Sequence, residues 1–131
     1  MLTSILFRLA TTISLGLALN ADLQNDVSNA IKSSNSKLLC SYFNDKVDLK
    51  ILDQEEVYSR GQAELILKDF FIKNPIKSFT IVHNSAPRNG SQFAIGNLET
   101  INGKFRIYFL IKTVDDKSLV HQFRIEPENG E

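Results

Sequence analysis

Two histidines are the residues of this chain best suited to chemistry. His83 follows Ile81 near the end of the alternating run "KSFTIVHN", and His121 stands between Leu119 and Phe123 in "SLVHQFRIE". Alternation puts both on the face that also carries Phe79, Phe93, Ile95, Phe105, Phe109 and Phe123, and a polar side chain at a core position is an informative exception. An imidazole titrates near neutral pH, so in a cavity it can act as a general base. The bland reading is a neutral, hydrogen-bonded core histidine. The sharper one sets His121 on a cavity wall beside Tyr42 or Tyr58, serving a hydrolyase or isomerase. Such an enzyme also needs an acid or an oxyanion donor aimed into the same cavity. No aspartate falls on the inward positions of the later strands, and Asp45 and Asp53 sit where solvated turns are the default. The enzyme reading therefore has less behind it than a non-catalytic one.

Metal and cofactor chemistry has no foothold. The single cysteine, Cys40, cannot form an intramolecular disulfide, and with two histidines it makes no zinc set unless carboxylates help. Beside Leu38 and Leu39 it reads as a small buried apolar residue. Asp115-Asp116 and Glu55-Glu56 read as solvated acids, since a calcium loop needs more oxygen ligands in a tight spacing. No metal and no cofactor are expected. The 15 basic and 15 acidic residues balance, so charge gives no case for nucleic acid, whose binding needs a basic face.

The elements that must position these residues follow a leader. "MLTSILFRLATTISLGLALNADLQ" has Arg8 near its start, no acid before Asp22, and an apolar run from Leu9 to Leu19. That run falls short of the roughly 20 residues a bilayer span requires and suits a signal-peptide core. Residues 1–21 are expected to be a cleaved export signal, leaving residues 22–131 as one domain. Localisation would be periplasmic or extracellular, with no stable membrane span in the mature protein.

Leu23, Val27, Ala30 and Ile31 form one helical stripe, and Ser36 is placed to cap a second helix, "KLLCSYF". "KVDLKIL" alternates as a half-buried strand. In "SRGQAELILKDFF", Ser59 and Gln62 fit a capping box, and Ala63, Ile66, Leu67, Phe70 and Phe71 share one helix face. After Asn74-Pro75 the period changes to two, giving four strands with Asn102-Gly103 as the clearest hairpin signal.

That order, with "YSRGQAELILKDFF" just before the four strands, resembles the nuclear-transport-factor-2-like superfamily. More narrowly, "YFNDKVDLKILDQEEVYSRGQAELILKDFF", "AIGNLET" and "FRIYFLIK" are similar to a family of small exported bacterial proteins within it, over residues 24 to 126. The resemblance implies an α+β fold of order α-α-β-α-β-β-β-β, with the helices packed on a strongly curved antiparallel sheet that forms a cone. It also implies a cavity between sheet and helices and, in many members, dimerisation through the outer sheet face. It carries no catalytic motif, and such a fold does not choose an activity.

Joined to the residues, these expectations give two candidate sites. A pocket would be lined by His121, His83, Tyr58, Phe70, Phe105 and Phe123 and take a small apolar ligand. A homodimer interface would use outward Arg106, Tyr108, Leu110, Gln122 and Arg124, since aromatics and arginine are enriched at interfaces. The reading drawn from the sequence is an exported, non-catalytic binding or interaction module that pairs with itself. The alternatives are an enzyme using His121 and an accessory subunit of a cell-envelope assembly.

Overall fold

The computed structural model describes residues 23–129; the export signal expected at residues 1–21 lies outside them. The described chain opens with a helix over 23–32 (α1), whose Leu23, Val27, Ala30 and Ile31 are all buried. The expected stripe is thus the buried face. A short helix follows, α2 (Ser36–Ser41), and its cap is Asn35, whose side chain accepts from the Leu38 backbone N–H. Ser36, expected at the cap, is instead a buried residue of the helix. Phe43 opens strand β1 (Phe43–Ile51) where the sequence suggested the end of that helix.

A strand that the sequence did not suggest comes next, β2 (Gln54–Ser59), antiparallel to β1. The turn between them holds Leu52 in the left-handed region at φ 57°, where glycine or asparagine is the usual signal. Then α3 (Arg60–Lys73) starts on the expected capping box: the Ser59 hydroxyl accepts from the Gln62 N–H, and the Gln62 side chain accepts from the Ser59 N–H. Its inward residues Ala63, Leu67, Phe70 and Phe71 are buried, and the Asn74 N–H closes on the Phe70 carbonyl. The remaining strands are β3 (Ile76–Asn84), β4 (Ser91–Thr100), β5 (Gly103–Val114) and β6 (Lys117–Pro127).

The four later strands form the expected antiparallel meander, but the sheet is larger and different in kind. It has six strands in the order β2-β1-β6-β5-β4-β3. β1 runs parallel to β6, with Asp48 opposite Gln122 and Ile51 opposite Ile125. The strongly curved antiparallel cone is therefore corrected: this is an α+β fold whose helices pack on an open, mixed sheet, neither closed nor strongly curved. β2 and β3 are its two edges. One sheet face and the three helices share the core, where Phe123 lies between Phe43 at 5.5 Å and Phe109 at 6.4 Å. Phe70 meets Phe105 edge-on at 5.4 Å. Among the described residues no helix is long and apolar enough to cross a membrane.

Candidate interaction face

Register decides which side chains can meet, because cross-strand partners stand on the same face. Ala94, Gly96 and Leu98 of β4 pair with Phe109, Ile107 and Phe105 and turn toward the helices. Phe93 and Ile95, expected inward, pair with Leu110 and Tyr108 and turn away. The reason is space: Gly96 lies under the Phe79 ring from β3, and a Cβ there would run into that ring. The small residues of β4 face the core because Phe79 fills the room above them.

Two bulges relocate the histidines. In β3, Ile81 pairs with Gly96 and His83 with Ile95, so Val82 is the extra residue and His83 joins the outer face, exposed. In β6, Leu110 is opposite Gln122 while Ile111 is opposite Val120, which leaves His121 unpaired in the ladder. An inserted residue breaks the period of two. Val120 is buried, and Leu119 stands opposite exposed Lys112. His121 is half-buried; burial, and secondarily the positive charge of Lys112, hold its imidazole pKa below the usual value.

The six expected pocket residues are not brought together. Phe70, Phe105 and Phe123 are in the core cluster or packed on it, their rings in mutual contact with other phenylalanines. Tyr58 borders the core from β2, its hydroxyl accepting from Gln54 Nε2 at 3.0 Å. His83 and His121 stand apart from them at their bulges. Cys40 is buried as expected, and burial pushes its thiol pKa up to about 12, the setting of an inert cysteine. Among the described residues no three of His, Cys, Asp and Glu are grouped to hold a metal.

The five expected interface residues fare differently. Arg106, Tyr108, Gln122 and Arg124 come together with Ile95 and Glu126 around one open hollow of about 360 Å³ on the outer face. Leu110 lies one row on, between Phe93 and Gln122 in the ladder. The Tyr108 ring stacks beside Phe93, with centroids 6.0 Å apart and planes 28° from parallel.

Charged neighbours from β1 and β2, which the sequence did not connect with this face, hold the hollow in place. Arg124 Nη2 reaches Glu55 Oε2 at 3.2 Å and Asp48 Oδ2 at 3.8 Å, and Lys50 Nζ donates to Glu126 Oε1 at 2.8 Å. The Lys50–Glu126 hydrogen bond raises the lysine's pKa. Such half-exposed pairs are screened by solvent, so their main effect is positional. Arg106 is exposed and enters no ion pair among the described residues. Arg124 Nε is buried, with no hydrogen-bond partner among the described residues.

Helices on one face of an open mixed sheet, with the other face bare, define an α+β protein of the nuclear-transport-factor-2-like, cystatin-like kind. An NTF-2-like protein of unknown function from Shewanella oneidensis shares that fold, at TM-score 0.60 and 13% identity over 81% of this chain and 94% of that one. At that identity the likeness is one of fold alone. The family is narrower: the profile of the domain of unknown function DUF4783 matches residues 24–126, and the chain belongs to that family. A solved DUF4783 protein from Bacteroides fragilis is 38% identical, covering 78% of this chain and 95% of that one at TM-score 0.72. One from Bacteroides uniformis is 36% identical, covering 79% and 94% at TM-score 0.74. No curated protein matches the chain. The resemblance read from the sequence is thus borne out for the family, and for the superfamily as a likeness of fold.

Proposed function

We propose that this chain is an exported, non-catalytic interaction module that pairs with a second copy of itself through the outer face of the sheet. The observation that carries the reading is the composition of that face. Tyr108 stacked beside Phe93, with Ile95 and Leu110 in adjoining ladder positions and two arginines among them, has the aromatic and arginine content of an interface. An isologous contact uses the same patch on both copies, so one favourable patch suffices to make a dimer. Export rests on the leader at residues 1–21.

The test is light scattering on the chain lacking residues 1–21. Twice the chain mass is expected, falling to a single chain mass in Tyr108→Glu, which sets a charge in the middle of the patch. A wild-type chain that stays monomeric up to about millimolar concentration, the weak end of specific association, ends the reading.

A further inference from the structure

Donors outnumber free acceptors around the outer hollow. Among the described residues Arg106 has no ion-pair partner, and neither the Tyr108 hydroxyl nor the Gln122 amide donates to any group. The one carboxylate in the lining, Glu126, is already held by Lys50 at 2.8 Å. Arg124 is tied toward β1 and β2 through Nη2, which fixes its guanidinium at the rim. A cluster of unspent donors calls for an anion or an acceptor-rich group, and a guanidinium fork matches a carboxylate best.

The rest of the lining is apolar. Ile95 lies beside the Tyr108 ring in the ladder, and the Phe93 ring stacks beside it. A bare inorganic anion would leave this surface unused. The volume of about 360 Å³ lies at the small end of small-molecule sites, which run from about 300 to 1,000 Å³.

We infer that the hollow bounded by Ile95, Arg106, Tyr108, Gln122 and Arg124 is a binding site for a small monocarboxylate with a flat apolar body. The carboxylate meets the Arg106 guanidinium, with the Gln122 amide and the Tyr108 hydroxyl as further donors. The body lies on Ile95 and the Tyr108 ring. The site shares the face of the proposed pairing but is built by a single chain.

Benzoate is the probe, titrated into isotopically labelled protein while the backbone amide resonances are followed. Saturable shifts are expected at Ile95, Arg106, Tyr108 and Gln122. Benzamide keeps the ring and loses the charge; inorganic phosphate keeps charge and loses the ring. Each is expected to bind at least about tenfold more weakly, the loss typical of one charge-assisted pair. Arg106→Gln is expected to weaken benzoate by a similar factor and to leave the melting temperature unchanged, because Arg106 is exposed. Equal binding of benzoate and benzamide, an Arg106→Gln protein that binds like wild type, or shifts centred elsewhere would overturn the site. Mass measured on the same samples judges the pairing separately. A monomer that binds benzoate removes the pairing and keeps the site; a dimer that ignores benzoate does the reverse.

Discussion

Along β5, Ile107, Phe109 and Ile111 turn to the helices and are buried, while Arg106, Tyr108 and Leu110 turn away and stay wholly or partly open. The same alternation on β6 buries Phe123 and Ile125 and leaves Gln122, Arg124 and Glu126 outside. The inner face excludes water and holds a close-packed set of rings. The outer face carries aromatic, aliphatic and charged groups side by side, with a donor-rich hollow among them. Burial is what stabilises a fold of this size, so the inner face has its composition dictated by packing. The outer face is under no such demand, and its mixed composition is what the proposed binding role rests on.

The largest expected effect tests the inner half of that contrast. Phe123 is 0% exposed and touches two other rings. Phe123→Ala should cost about 3–5 kcal/mol, the usual range for deleting a buried phenyl group. Denaturant unfolding would read this as a lower midpoint at an unchanged slope. A cost under about 1 kcal/mol, the size of a typical surface change, would mean that the ring stack is not what holds the sheet to its helices.

Gly96 is the next point of pressure, because there the two faces are set by a single missing side chain. An added methyl meets the Phe79 ring and comes within 3.0 Å of the Thr80 carbonyl oxygen. Gly96→Ala should destabilise by about 1–3 kcal/mol, the cost of overpacking. A neutral result in the same unfolding measurement would show that Phe79 swings clear, and the account of why Phe93 and Ile95 turn outward would fall with it.

These residues also mark where the sequence could be read and where it could not. The α1 stripe, the Ser59 box and the later meander were legible because each is local: a period, a cap, an Asn-Gly turn. Strand β2 was not, since Gln54, Glu55 and Glu56 are exposed edge residues and the turn before it uses Leu52 where a glycine would be looked for. Nor was the parallel β1–β6 pairing, which joins strands far apart in the chain with no adjoining turn to announce it. The parallel β1–β6 pairing is what makes the expected antiparallel sheet a mixed one, and β2 adds one strand to the five expected. Phe93 and Ile95 were expected inward, and the opposite choice was made by a ring on another strand. Four of the five residues expected at an interface lie around one hollow because β5 and the end of β6 keep a regular alternation. The pocket residues were dispersed because each histidine sits beside or at a bulge, and no residue type announces a bulge as asparagine-glycine announces a turn.

The smallest expected effect belongs to the residue at which the faces exchange register. His121 is the inserted position of β6, half-buried, with Lys112 as the charge acting on it. Burial first and that lysine second lower its pKa in the folded chain, so the native state takes up a proton less readily than the unfolded one. The stability this contributes is full above the unfolded imidazole value, about 6.5, and is lost as pH falls through the lower folded value. Denaturant midpoints measured from about pH 7.5 down past that value should therefore fall more steeply for wild type than for His121→Gln, which cannot titrate. Parallel slopes would place the imidazole in full contact with water. The bulge would then hand His121 wholly to the outer face, where it would border the same open surface as Gln122.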